Sequence, residues 1–243
     1  LPSGYAVNSG KVVISTNGAA MTIKQSTDKA SVNWNSFSVG QDAAVNVLQN
    51  NSSSVLLNRV VGSEVSQIFG KINANGQIIL INQNGTVFGK SGSVTASSFT
   101  ASTFNLSDDD FVNGIYNYAR NGSAAGIANQ GSIISTEQGG YIALIGASVT
   151  NEGSIKTAKG SVVMAAADSV TLPAVITNTI QVPLSGKVRL ELLPSTLNAM
   201  VVNTGSGVIT TEGGQVLMHA AAVSDAVANV NANVMNSGQI GRA

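Results

Sequence analysis

Short apolar runs punctuated by Gly and Asn fill the first half of the chain. Runs such as Val12-Val13-Ile14, Met21-Thr22-Ile23 and Val45-Asn46-Val47-Leu48 are set apart by Gly and Asn clusters, the pattern of short strands joined by turns. From Ser31 to Val39 apolar and polar residues alternate, with Val32, Trp34, Phe37 and Val39 apolar; the slip between Trp34 and Phe37 predicts a bulge or bend. Asn50 to Ser54 is a polar loop, and Val55 to Val61 a strand. Glu64 to Gly70 fits a helical turn and a short strand equally. Ile78 to Ile81 and Thr86 to Phe88 are β-branched and aromatic and read as strands. Between them lies Asn82-Gln83-Asn84-Gly85. Asn-Gly tolerates positive φ at little steric cost, so the pattern predicts two strands joined by a tight polar turn. Ser107 before Asp108-Asp109-Asp110 reads as the N-cap and acidic first turn of a short helix over 108–113, stopped by Gly114.

Further on the chain repeats itself. Asn129-Gln130-Gly131-Ser132-Ile133 returns 22 residues later as Asn151-Glu152-Gly153-Ser154-Ile155, and again at Asn203-Thr204-Gly205 and Asn236-Ser237-Gly238. Gly139-Gly140-Tyr141-Ile142 is echoed by Lys159-Gly160-Ser161-Val162 and Gly213-Gly214-Gln215-Val216, and Ala147-Ser148-Val149-Thr150 by Asp168-Ser169-Val170-Thr171. A period of about 20 residues holding two or three short strands is the signature of a β-solenoid. No coil closes a core alone, but coils stacked about 4.8 Å apart bury their inward residues and pair every backbone. Gly and Asn fall at the corners, where Asn side chains can ladder from coil to coil. Pro173, Pro183 and Pro194 interrupt the repeat. Residues 172–202 are therefore expected to leave the solenoid as a hairpin on its flank. The remainder divides into an N-terminal cap over about 1–50 and coils over about 51–243.

Composition narrows the function. Twelve basic residues balance twelve acidic ones and only 10% of residues are charged, which argues against a nucleic-acid partner and against electrostatic membrane docking. Cys is absent, in keeping with export though not proof of it. The apolar runs fall far short of the roughly 20 residues of a membrane helix. Leu1-Pro2-Ser3-Gly4 lacks the basic and apolar segments of a signal peptide, so the numbering is expected to start at a mature terminus if the chain is exported.

Chemistry-bearing residues are few. His219 is the single histidine; without Cys it cannot complete a metal site and reads as an ordinary solenoid position. Asp108 to Asp110 could hold a cation, but helix-terminal acids are the plainer reading. Glycosidase chemistry needs two carboxylates facing a cleft, whereas Glu64, Glu137, Glu152, Glu191 and Glu212 are scattered. No catalytic constellation emerges, and no cofactor is expected. Trp34 and Phe37 could stack on a sugar, but core packing under the N-terminal cap is the plainer reading. A glycan-binding adhesin module would show an aromatic stripe, and aromatic residues make up 5% of the chain.

Several blocks together resemble a known family. Trp34-Asn35-Ser36-Phe37-Ser38-Val39-Gly40, Leu57-Asn58-Arg59-Val60, Ser66-Gln67-Ile68-Phe69-Gly70, the run Ala74-Asn75-Gly76-Gln77 through Gly89, and Phe99-Thr100-Ala101-Ser102-Thr103-Phe104 are similar to the secretion (TPS) domain of two-partner-secretion exoproteins. These are the filamentous-haemagglutinin-like adhesins, haemolysins and contact-dependent inhibition proteins. The family's Asn-Pro-Asn-Gly-Ile motif maps onto Asn82-Gln83-Asn84-Gly85-Thr86, with Gln83 in place of Pro and Thr86 in place of Ile. The resemblance implies an all-β, right-handed parallel β-helix with an N-terminal cap and extra-helical β-hairpin elements. It implies a non-enzymatic domain, monomeric and without cofactor, forming the N-terminal part of a larger secreted or cell-surface exoprotein. Its expected partner is a TpsB-type outer-membrane β-barrel transporter whose periplasmic POTRA domains read the unfolded chain. Asn82, Gln83, Asn84, Gly85 and Thr86 are the expected recognition motif. Asn58, Arg59, Asn75, Gly76, Trp34 and Phe37 are expected to shape turns and the cap.

Overall fold

The computed structural model describes residues 1–172, 191–193, 199–220 and 232–241, and these wind as a parallel β-helix with three faces. One turn shows the principle. Strand Gln77–Ile81 lies in an eight-stranded sheet, Thr86–Phe88 in a six-stranded sheet and Ser93–Ala96 in a nine-stranded sheet; Ser98–Ser102 then returns to the first sheet one rung higher. There it pairs in parallel with Gln77–Ile81, Phe99 beside Ile78 and Ala101 beside Leu80. Ile78–Ile81 and Thr86–Phe88 therefore do not pair with each other as a hairpin. The Asn-Gly segment turns a corner between sheets, because both edges of Gln77–Ile81 are already taken by Val55–Val60 and Ser98–Ser102.

Alternation explains two of the sheets. In Gly126–Asn129, Ser132–Ser135, Ser148–Asn151 and Val208–Thr211 the inward residue is buried and the outward one partly solvated, the pattern of a strand with one wet face. The eight-stranded sheet differs. Every residue of Gln77–Ile81, Ser98–Ser102, Tyr141–Ile145 and Ser161–Ala166 is buried, so both faces are covered. Ile78, Leu80, Phe99, Ile142, Leu144 and Val162 point into the solenoid core. Leu57, Ile79, Ile81, Ala143, Ile145 and Val163 point outward into a second core.

That second core is roofed by excursions. Asn105–Leu106 and Tyr116–Ala119 pair antiparallel, Tyr116–Ala119 pairs with Ser169–Leu172, and Ser169–Leu172 with Glu191–Leu193. Among the described residues the repeat is thus interrupted twice. The first departure, between Ser98–Ser102 and Gly126–Asn129, carries the helix Asp108–Asn113. This helix forms as expected: Ser107 Oγ accepts the Asp110 N–H at 3.0 Å, and Gly114 closes it at φ 73°. The second departure was expected near 172–202. It starts by Ser169 and the chain is back on the six-stranded sheet at Ala199–Asn203; residues 173–190 and 194–198 lie outside the described residues. Asp168-Ser169-Val170-Thr171 echoes Ala147 to Thr150 in sequence yet leaves the solenoid, because Tyr116–Ala119 supplies it with an antiparallel edge over the apolar outer face.

The cap is shorter than the expected 1–50. Ala20–Gln25 already pairs in parallel with Ala44–Leu48, and Lys29–Ser36 with Val55–Val60. Only Ser3–Ser9 and Val12–Asn17 run antiparallel, on Lys29–Ser36 and Ala20–Gln25 respectively. Each of these two strands stands at the end of its sheet, and the turn at Asn17-Gly18 folds Val12–Asn17 back on Ala20–Gln25. Val39 closes the third sheet by bridging to Ile68. No bulge separates Trp34 from Phe37: the strand ends at Ser36 and the chain turns, bringing the two rings edge to face at 5.4 Å. Glu64 to Gly70 resolves as the strand Ser66–Ile68.

Two columns run along the coils. Asn129 Nδ2 donates to Asn151 Oδ1 at 2.8 Å, Asn151 to Asn203 at 2.7 Å, and Asn203 to Asn236 at 2.8 Å, the expected corner ladder. Glycines stack at another corner, where a Cβ on Gly160 would lie 1.7 Å from the Gly140 carbonyl oxygen and one on Gly214 1.6 Å from that of Gly160.

Candidate functional site

The corner Asn82–Thr86 carries four strands' ends at once. Asn82 is fully buried. Its Nδ2 donates to Glu64 O at 2.8 Å and to Ser66 Oγ at 2.9 Å, while its Oδ1 accepts the Asn84 N–H at 2.9 Å and Asn84 Nδ2 at 3.1 Å. The Gly85 N–H closes the turn on Asn82 O at 3.0 Å. Gly85 has φ 112°, a conformation costly for any residue with a Cβ. A short polar side chain that both donates and accepts is needed at 82, and glycine at 85, for the chain to leave one sheet and enter the next.

The motif is divided by exposure. Asn82, Gly85 and Thr86 are buried, whereas Gln83 and Asn84 are exposed. Asn84 Nδ2 donates to Gly62 O at 2.8 Å, which pins the preceding coil's corner. Gln83 O accepts from Ser123 Oγ at 2.9 Å. Thr86 Oγ1 is buried with no hydrogen-bond partner among the described residues, so the hydroxyl that replaces the family's Ile contributes nothing the structure uses.

Arg59 approaches this corner. It borders, with Gln83, Asn84 and Asn105, a cleft of about 490 Å³. Its guanidinium is engaged: Nε donates to Asn105 Oδ1 at 3.2 Å, Nη2 to Leu106 O, and Nη1 pairs with Asp108 at 2.8 Å. Asp108 also accepts from Asn8 Nδ2 at 2.9 Å, and Lys29 Nζ donates to Phe111 O and Val112 O at the helix C-terminus. Desolvation holds the Lys29 amine below its ordinary pKa. Arg59, Asn8 and Lys29 thus clasp the helix to the first coils. Asp108 is the helix-terminal acid its local sequence suggests, but its partners Asn8 and Arg59 lie 100 and 49 positions away, so local spacing holds no signal for them.

The other expected residues serve the fold at separate places. Asn58 Oδ1 accepts from Trp34 Nε1 at 3.0 Å inside the solenoid core, and Trp34 packs between Tyr5 and Phe37. Asn75 bonds the Gln49 main chain in both directions, at 2.7 and 2.8 Å. Gly76 sits where a Cβ would meet Gln49 and Ser54. Neither Asn75 nor Gly76 joins the Asn82 corner. His219 is exposed on Gln215–Ala220, and among the described residues no group of three or more His, Cys, Asp or Glu side chains could hold a metal. No helix among the described residues is long and apolar enough to cross a membrane.

Comparisons with known proteins agree with this architecture. The profile of the TPS secretion domain matches residues 1–241. A heme/hemopexin-binding protein of Haemophilus influenzae is 34% identical over 161 residues, covering 64% of this chain and 18% of that protein. A second heme/hemopexin-binding protein of the same species is 39% identical over 106 residues, 43% of this chain and 11% of that protein. The crystal structure of the HMW1 secretion domain from Haemophilus influenzae superposes with a TM-score of 0.83 at 29% identity, covering 98% of this chain and 58% of that one. The chain thus spans less than a fifth of the length of the curated relatives it matches.

Proposed function

This chain belongs to the TPS secretion domain family, not a family of enzymes, and on that premise we propose that its Asn82–Thr86 segment is read by the partner transporter before the domain folds. The transporter is a TpsB-type outer-membrane barrel with periplasmic POTRA domains, and the folded domain ends at the cell surface or outside the cell. One observation carries the reading: in the fold Asn82 is 0% exposed and Gly85 and Thr86 are buried. A partner reaches most of the motif only while the chain is extended. Strand addition points the same way. Gln77–Ile81 has both edges paired once folded, so it can add to a partner's sheet only beforehand.

The architecture suits threading. Each coil rests on its neighbours, and the chain carries no Cys. Coils can leave a narrow pore extended and add one after another to the growing solenoid. In this reading Asn58, Arg59, Asn75, Gly76, Trp34 and Phe37 build the first coils on which later ones stack.

The test is binding of the urea-unfolded and the folded chain to the transporter's isolated periplasmic domains, after dilution into conditions where those domains stay folded. Binding confined to the freshly diluted, unfolded chain and weakened by Asn82→Ala supports the proposal. Equal binding of the folded chain, or no loss in Asn82→Ala, overturns it.

A further inference from the structure

Five Asn-Gly pairs occur in the sequence: Asn17-Gly18, Asn75-Gly76, Asn84-Gly85, Asn113-Gly114 and Asn121-Gly122. Asn followed by Gly is the pair most open to succinimide chemistry, because no side chain shields the glycine nitrogen. That nitrogen, once it loses its proton to base, attacks Asn Cγ. A new C–N bond closes a five-membered ring, the Cγ–Nδ2 bond breaks, and the amide nitrogen leaves as ammonia. Water then opens the ring at either carbonyl to yield aspartate or isoaspartate. The reaction needs a free side-chain amide, a free glycine N–H and room to form the ring.

The fold removes these conditions at three pairs. Asn75 is held by the Gln49 main chain through both its Oδ1 and its Nδ2, and the space at Gly76 is filled by Gln49 and Ser54. Asn84 Nδ2 is bound to Gly62 O, and the nucleophile beside it, Gly85 N–H, is bound to Asn82 O. Asn113 Nδ2 is bound to Asp109 O, and the Gly114 N–H to Phe111 O and Asp110 O. Lys29 Nζ stands 3.4 Å from where a Gly114 Cβ would lie.

The other two pairs are open. Asn17 and Asn121 are exposed, their side chains form no hydrogen bond among the described residues, and a Cβ built on Gly18 or Gly122 would meet nothing within 4 Å. Asn17 sits at the turn between the capping strand Val12–Asn17 and Ala20–Gln25. Asn121 follows Tyr116–Ala119 at φ 48°. We propose that Asn17 and Asn121 are the sites at which the folded domain is covalently converted to aspartate and isoaspartate, with Asn75, Asn84 and Asn113 protected by folding. In the unfolded chain all five pairs are open, so loss of the Asn84 amide, and with it the bond to Gly62 O, is confined to chains that wait unfolded.

The folded chain is incubated at mildly alkaline pH, digested, and each Asn-Gly peptide is quantified by mass spectrometry, with isoaspartyl methyltransferase marking isoaspartate. A parallel sample is held in urea. The expected result is conversion at Asn17 and Asn121 roughly tenfold or more faster than at the other three in the folded chain, since those must wait for local opening, and comparable conversion at all five in urea. Asn17→Gln and Asn121→Gln each remove their own signal and leave the other. Uniform conversion in the folded chain, or Asn84 reacting as fast as Asn121, overturns the proposal, as does conversion at Asn17 and Asn121 no faster folded than at the protected three.

Discussion

Replacing Asn82 by Ala tests whether the motif is first of all a corner. The substitution deletes two donated bonds, to Glu64 O and Ser66 Oγ, and two accepted ones, from Asn84 N and Nδ2. Ser66 is fully buried, so its hydroxyl loses a partner that water cannot readily replace. Glu64 is exposed, and water can take up its carbonyl. At about 1 kcal/mol net per neutral bond, and discounting the solvated one, the loss is about 3 kcal/mol. That is a large part of the roughly 5–15 kcal/mol by which a domain is stable, and for a chain of this size it lowers the melting temperature by about 6–12 °C. The neighbours calibrate the effect. Asn84→Ala removes the bonds from its Nδ2 to Gly62 O and to Asn82 Oδ1 at an exposed site and should cost about 1–2 kcal/mol. Gln83→Ala, whose side chain makes no bond among the described residues, should be silent within about 0.5 kcal/mol. Melting followed by far-ultraviolet circular dichroism, with urea unfolding in parallel, gives the three values. An Asn82→Ala protein that melts with the parent, or a Gln83→Ala protein that falls as far as Asn82→Ala, would refute the assignment of the corner to Asn82.

Thr86→Val removes a buried hydroxyl without a partner while keeping the side chain's shape, and should stabilise by about 1 kcal/mol in the same melts; a destabilised protein would show that the hydroxyl is satisfied in solution. Gly160→Ala places a Cβ 1.7 Å from the Gly140 carbonyl, a clash with backbone that cannot swing away, and should cost about 2 kcal/mol or more by urea unfolding. Asn151→Ala cuts the ladder on both sides and should cost about 2 kcal/mol, against about 1 kcal/mol or less for Asn236→Ala at the last described rung. Tyr116, Tyr118 and Tyr141 have pKa values raised above 10.0, burial being the largest cause and neighbouring tyrosines adding to it for the last two. Because the folded values exceed the unfolded one, this contribution is whole below pH 10 and falls as pH rises past it. Stability should drop above pH 10, with tyrosinate absorbance appearing together with unfolding; gradual titration of all three in a still-folded chain would contradict their burial.

Much of the architecture is written locally. The repeat of Asn, Gly and alternating Ile or Val determines the solenoid, its corners and its Asn ladder, because inward and outward positions along a strand need no distant partner to be told apart. Ser107, the three aspartates and Gly114 determine the short helix for the same reason. What the tertiary structure decided is which faces are covered. Ile78–Ile81 and Tyr141–Ile145 are runs without an outward polar alternation, and sequence cannot say whether a second layer lies above them or an adjoining coil absorbs them. The roof comes from Tyr116–Ala119 meeting Ser169–Leu172, a pairing across some fifty residues, and it diverts a segment whose own letters repeat those of a solenoid strand. The same holds for the motif at Asn82: its turn chemistry is legible, but that Asn82 turns inward to hold Glu64 and Ser66 while Gln83 faces water depends on the coil below. Contacts between coils are set by stacking, and stacking is known only once every coil has found its neighbour.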